Sequence, residues 1–453
     1  MKFRWKALRS SACAAVVLGP TLAIASTLAA NPPAGATSSG DQWLVRGLSI
    51  GVPGLRIGAL ASGVPTPASQ LLGVFCTSPA NCWAVGDTSN GDVERNQVLH
   101  WTGRHWFGVK VPNPGGMASG DSSQLFAVRC TSASNCWAVG NARTGDQGGV
   151  DQALHWNGKK WLVVDTPTPG GILTGDINTL SDVTCTSARN CVAVGFYGAN
   201  TSTMTGESEL LLNQVLRWNG VRWSLASAPN PAGVAQNHVN VLAAVRCASS
   251  GDCWAAGTSG HINSKGQPTL RNEMLHWNGR KWLTAPVPSP GGAAPGAFNE
   301  LNALACASAV NCWAAGFAGQ ITSDPSTSEL LNVILRFNGR KWLKQTVPNP
   351  GGGSEAENGL FGITCSSARN CWAVGSSGTT ASQATLNEAF RWNGTKWSSF
   401  KTPNPSGMGG RNVLNAARCT SVANCWAVGL SQKSTASEEN EILHWTGKKW
   451  FAG

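Results

Sequence analysis

From Leu72 to the C-terminus the apolar positions recur in a unit of 54–62 residues that is met seven times. Each unit reads L-x-A-V-x-C, a short polar stretch, C-W-A-V-G, a variable segment and then L-H/R-W-N-G-x-K-W, and many end in P-N-P-G-G. In the second unit Leu125–Cys130 is a β-prone run, and Thr131–Asn135 has turn chemistry. Cys136–Gly140 is a second run, and Ala153–Trp156 is a third with Leu154 and His155 on opposite faces. Asn157-Gly158 is a strong hairpin signal, and Lys160–Val164 is a fourth run that Pro167 and Pro169 end. Four short antiparallel strands per unit, too small to bury their own faces, predict an all-β fold over 71–453: a seven-bladed β-propeller with four strands per blade. Stretches such as Pro112–Gly116 and Pro348–Gly353 then join one blade to the next.

Two cysteines stand in every unit, six residues apart: Cys76 and Cys82, Cys130 and Cys136, Cys185 and Cys191, Cys247 and Cys253, Cys306 and Cys312, Cys365 and Cys371, Cys419 and Cys425. A five-residue turn would set each pair opposite one another at roughly 4.5–5.5 Å between Cα atoms, within reach of a disulfide. One bridge per blade, each stabilising by about 2 kcal/mol, is the expectation. Zinc sites space cysteines more closely and complete four ligands, and neither holds here, so no metal site is expected.

The first residues read differently. Lys2, Arg4, Lys6 and Arg9 precede a weakly apolar stretch over 10–30 with small-residue cleavage sites, the pattern of a signal peptide over 1–30. Its removal takes four of the positive charges, none of the negative ones, and the odd cysteine, Cys13; Ser10 speaks against a lipoprotein at that cysteine. An even cysteine count in an exported chain fits the disulfides and a secreted, extracellular or cell-envelope location. Residues 31–70 are an N-terminal segment in which Gln42–Arg46 resembles a fourth strand, expected to cover an edge of the last or first blade. No later apolar run is long enough to span a bilayer.

The strand ending in W-A-V-G and the W-N-G-K-K-W hairpin resemble the repeat of BNR/Asp-box propellers, the photosystem II assembly factor-like group in particular. The resemblance covers about 71–453 and implies the propeller fold. The Asp of an Asp-box is replaced by Asn157, Asn219, Asn278, Asn338, Asn393, Thr102 or Thr446, and the paired cysteines are additional, so no catalytic residue carries across. The chain is more closely similar to secreted, cysteine-bearing bacterial repeat proteins.

The charge of +11, with charged residues only 13% of the chain, is concentrated in one repeated place. Arg104, Lys159, Lys160, Arg222, Arg280, Lys281, Arg340, Lys341, Lys396, Lys448 and Lys449 sit in or beside the turn between strands three and four. They form a basic ring suited either to solubility or to an anionic polymer. The 21 tryptophans follow the repeat and read as blade core rather than sugar platforms. His100, His155, His276 and His444 alternate with Arg217, Arg336 and Arg391 at one position, where a hydrogen-bonding role between blades is expected. Glu209, Glu273, Glu329, Glu388 and Glu441 recur as scaffold residues rather than as a unique acid pair. Gly47–Gly51 matches G-x-S-x-G without the strand–turn–helix that motif needs. No cofactor motif is present. The segments 87–97, 141–152, 196–213, 258–272, 317–332, 376–387 and 430–440 vary most and read as loops that would hold any specific site.

The sequence therefore predicts a monomeric, non-enzymatic binding protein whose ligand is a polysaccharide or extracellular protein. It predicts no specific nucleic acid partner and no membrane span once the signal is removed. A sialidase-like glycoside hydrolase or lyase is the alternative, and a structural surface protein is a third reading. The ligand-binding residues themselves are not legible.

Overall fold

A computed structural model describes residues 67–453 apart from 204–205, 323–327, 353–354, 380–383 and 434–435, and gives the backbone only for 199–203 and 206–209. The signal peptide, the Gln42–Arg46 strand and the G-x-S-x-G segment lie outside the described residues. The described residues form strands and no helix, in seven sets of four antiparallel strands taken in chain order. The second set is Ser122–Ser132, Asn135–Arg143, Val150–Trp156 and Trp161–Val163. The first set begins at Ala68 and the last ends at Ala452, so each unit supplies all four of its own strands.

Strands two and three run on through the segments expected to be variable loops. In the first unit Asn81–Asn90 pairs with Val93–Trp101 down to Asn90 opposite Val93, which leaves a turn of two residues. The polar residues there alternate across a ladder, and alternation in polar residues is a weak strand signal.

The glycine of W-A-V-G is fixed by a bulge. In unit two Leu125 pairs with Gly140 and Ala127 with Val139, so Phe126 is the extra residue and turns away from the ladder. The bulge carries the first strand's backbone over the second, and a Cβ on Gly140 would lie 1.9 Å from the Gln124 carbonyl oxygen. The same approach recurs at Gly86, Gly195, Gly257, Gly316, Gly375 and Gly429.

All seven disulfides form within their units. Their Cα atoms are 3.9–4.0 Å apart, closer than the expected spacing. The strands continue past the cysteines to Ser132 opposite Asn135, with a second bulge at Thr131, so the connection is a two-residue turn and not a five-residue one.

Tryptophans hold unit to unit. Trp83 of the first unit stands 4.9 Å from Trp156 and 5.3 Å from Trp161 of the second. Trp426 of the last unit meets Trp101 and Trp106 of the first at 4.8 and 5.3 Å, the same arrangement. Unit three has Val192 at this position, and it packs with Trp277 and Trp282 of unit four. The indoles are thus interface between units, with Trp83, Trp137, Trp313, Trp372 and Trp445 fully buried. Hydrogen bonds also join the first unit to the last: Ser69 N donates to the Glu438 carbonyl at 2.8 Å, and Asn415 Nδ2 donates to the Leu71 carbonyl at 3.0 Å.

A polar latch accompanies the tryptophans. Asn332 on the third strand of unit five donates to the Pro348 carbonyl at 3.1 Å and accepts nothing in return, while its backbone N–H donates to Asn349 at 2.7 Å. This pairing explains the asparagine of P-N-P. The same Asn332 amide donates to Glu388 of unit six at 2.8 Å, Asn213 donates to Glu273, and Asn387 donates to Glu441. Gln152 occupies the equivalent place in unit two, and its amide donates at 3.1 Å to the carbonyls of Gln124 and Asn141.

Candidate functional site

The first strands of all seven units line one cavity of about 130 Å³. Its wall is built from the two x positions of L-x-A-V-x-C and the backbone between them. The bulge turns the first x inward, giving Leu72, Phe126, Ser181, Ala243, Asn302, Phe361 and Asn415. The second x, just before the cysteine, gives Arg129, Arg246, Ala305, Thr364 and Arg418 to the lining. Phe75 at that position in the first unit lies between two of the arginines, whose guanidinium carbons stand 4.7 Å (Arg129) and 4.2 Å (Arg418) from its ring centre.

Three guanidinium groups therefore meet one carboxylate. Asp182 is the single acid among the described lining residues. It accepts from Arg246 at 2.5 Å and from the backbone N–H of Val245 and Val183 at 2.9 and 2.8 Å. Arg246 also donates to the Val245 carbonyl at 2.6 Å. Burial, then the charges of Arg246 and Arg418, push the Arg129 guanidinium well below its ordinary 12.5, and Asp182 opposes them. Burial and then Arg246 bring Arg418 down to about 10, and its Nε is buried without an acceptor. A site with two uncompensated positive charges in a poorly solvated place is set up for an anion, because guanidinium forks bind carboxylate in two-pronged fashion.

The residues expected from the sequence lie elsewhere. All eleven cations of the basic ring are exposed. Glu273, Glu388 and Glu441 are latch residues between units, as their recurrence suggested, and each is at most 3% exposed. Burial raises all three: Glu388 and Glu441 to about 8, and Glu273 well above 4.5, with the asparagine hydrogen bond opposing in each case. At the repeated His/Arg position the hydrogen bonds lie inside the unit, with His100 meeting Asn81 at 2.6 Å, His276 meeting Asp252 at 2.8 Å and Arg391 donating to Asn370 at 2.8 Å, while the contact between units is made by stacking, as where Arg217 lies 4.5 Å from the ring centre of Trp277 in the next unit. His100 also stacks on Trp83 at 4.0 Å. No group of three or more His, Cys, Asp or Glu side chains among the described residues is placed to hold a metal ion.

Sequence reasoning looked to the long variable segments and missed Arg129, Arg246, Arg418 and Asp182. The usable signal was variation inside an otherwise uniform motif: Asp182 stands where the other units have Gly or Ala, and the three arginines stand where the others have Phe, Thr or Ala.

No family model and no curated protein matches the chain. Among solved structures it is similar to a polysaccharide lyase, PL25 ulvan lyase, at 8% identity and a TM-score of 0.49, covering 87% of this chain and 96% of that one. It is similar to the GH74 xyloglucanase from Xanthomonas campestris at 12% identity and a TM-score of 0.44, covering 87% of this chain. The chain spans 55% of that xyloglucanase. A Penicillium chrysogenum alpha-L-arabinanase complexed with arabinobiose follows at 9% identity and a TM-score of 0.38, covering 70% of this chain and 91% of that one. These likenesses are distant ones of fold. These neighbours are by name a xyloglucanase, a polysaccharide lyase and an arabinanase, and the expectation of a non-enzymatic binding protein stands corrected against those names; the hydrolase or lyase alternative is taken up as a proposal.

Proposed function

We propose that this is a secreted enzyme that cleaves a uronate-bearing polysaccharide by elimination, built as a closed seven-bladed propeller of the BNR/Asp-box-like kind. The arginine cluster carries the reading. A uronate carboxylate placed among Arg129, Arg246 and Arg418 has its charge neutralised, and neutralisation makes the neighbouring C5–H more acidic. The C5 proton is lost as the C4–O bond breaks, which leaves a C4=C5 double bond on one fragment, and the departing oxygen takes up one proton to become the hydroxyl of a new reducing end, so that no water is consumed. Hydrolysis by paired carboxylates needs two acids across the scissile bond, and among the described residues the cavity offers Asp182 alone, already engaged by Arg246.

The repeated tryptophan contact, with Trp426 meeting the first unit as Trp83 meets the second, supports closure of the ring. The turn asparagines support the Asp-box likeness: Asn157 Oδ1 accepts from the N–H of Lys159 and Lys160 at 2.9 and 3.0 Å, the task a turn aspartate would perform. Seven disulfides suit an oxidising compartment. The test is incubation of the oxidised protein with uronate polymers and with neutral glucans. Ultraviolet absorbance of the unsaturated uronate should rise in step with new reducing ends, on the uronate polymers alone. Reducing ends without that absorbance would make the enzyme a hydrolase, and no cleavage on any uronate polymer would remove the reading.

A further inference from the structure

The cations of this molecule are sorted by face. The turns joining strands one to two and strands three to four emerge at the same end of every unit, the end at which Arg129, Arg246 and Arg418 precede their cysteines. Those two sets of turns hold one acid, Asp252, and it is partnered by His276 at 2.8 Å. The three-to-four turns hold the basic ring, and Arg189 and Arg369 add to it from the one-to-two turns. The opposite end carries the exposed acids, among them Asp92, Asp146 and Glu439, mixed with Lys265, Arg271 and Lys433. Charges scattered for solubility would not keep acids almost entirely off one end while crowding that end with cations.

We infer that this basic face is the docking surface for an acidic polysaccharide chain, which lies across the turns and brings one acidic sugar to the axial arginines. The inference rests on the proposed uronate specificity and says where the rest of the polymer goes. The ring sits on the outer strands and the axial arginines on the innermost, about 15 Å away at three strand spacings. A few consecutive sugars span that distance, so a chain with an acid on each residue can touch both at once, and the exposed lysines contribute to encounter and residence while the axial arginines select the acid. Charge complementarity commits the partner to a flexible polyanion. The lysines stand on separate units around a circle, which suits a chain able to curve across them.

The experiment measures retention of the oxidised full chain on polygalacturonate, on dextran sulfate and on neutral dextran, across a salt series. One variant replaces Lys159, Lys160, Lys448 and Lys449 by glutamine. A second replaces Lys265, Arg271 and Lys433 by glutamine on the opposite face, removing nearly the same charge. The parent should bind both acidic polymers and not dextran. The turn variant should bind them about tenfold to thirtyfold more weakly, with a shallower salt dependence, and the opposite-face variant should match the parent. Equal binding by parent and turn variant overturns the inference, and so does equal weakening by both variants. Tighter binding of the parent to anionic vesicles or to DNA than to either polysaccharide, at the same salt, also overturns it. Absent cleavage with retention that still depends on the turn lysines would sink the catalytic reading and keep this one. Cleavage with retention indifferent to those lysines would do the reverse.

Discussion

Replacing Glu388 and Glu441 by glutamine should stabilise the protein above neutral pH and leave it nearly unchanged in acid. Both side chains are buried between units, at 3% and 2% exposure, where the equivalent Gln152 offers its amide N–H groups to two backbone carbonyls. A carboxylate would face those carbonyls with nothing to donate, so the neutral acid is the form that fits. Burial accordingly raises each group from 4.5 to about 8, against the opposing asparagine hydrogen bond. A carboxyl raised on folding contributes stability that is fully present below its unfolded value and is lost as pH rises toward its folded value. The parent should therefore weaken between pH 4.5 and 8, by at most about 4 kcal/mol per group at the upper end. Glutamine mimics the protonated acid at every pH and has no such loss. His100, His155 and His444, lowered by burial, act in the opposite sense and weaken the fold in acid, but they are common to both proteins and cancel in the difference. The assay is thermal unfolding of the oxidised parent and double variant from pH 5 to 8, followed by tryptophan fluorescence. The melting temperature of the variant should exceed that of the parent by several degrees at pH 8, and the gap should close toward pH 5. A gap that is constant with pH, or a variant less stable at pH 8, would refute the protonated latch.

Three further outcomes follow from the packing. Arg418→Gln should abolish cleavage while holding or raising stability: the guanidinium brought from 12.5 to about 10 costs about 3 kcal/mol of folding free energy, only partly offset by about 1–2 kcal/mol of contact with Phe75, and calorimetry with a rate assay checks both. Gly140→Ala should cost more than about 3 kcal/mol in denaturant unfolding, because its Cβ would meet the Gln124 carbonyl at 1.9 Å, whereas Ala on the open Gly108 should cost little. Replacing Cys130 and Cys136 together by serine should lower stability by about 2 kcal/mol, while full reduction of all seven bridges should unfold the chain at moderate temperature.

The architecture was readable because it is written redundantly. W-A-V-G, N-G and P-N-P each recur with the backbone reason that places them: a carbonyl approaching Gly140, an Asn157 turn, and an Asn349 that accepts from the N–H of Asn332 on the third strand of its own unit. The cysteine pairing was readable for the same reason, although a bulge at Thr131 shortened the turn. The site was hidden because it has no local motif. Arg129, Arg246 and Arg418 are 117 or more residues apart at their nearest and meet only once the fold places their strands around one cavity. The bulge that turns Phe126 and its equivalents inward leaves no trace in an alternation of apolar residues. The latch glutamates were seen as scaffold, but their raised protonation depends on burial, which the repeat alone does not give.

The most direct test compares one uronate polymer with the same polymer after its carboxyl groups have been reduced to alcohols. Initial cleavage rates are measured for the parent and for Arg418→Gln. The parent should cut the native polymer and leave the reduced polymer intact, and the variant should cut neither. Equal cleavage of native and reduced polymer by the parent, or an unimpaired Arg418→Gln, would contradict uronate recognition by the arginine cluster.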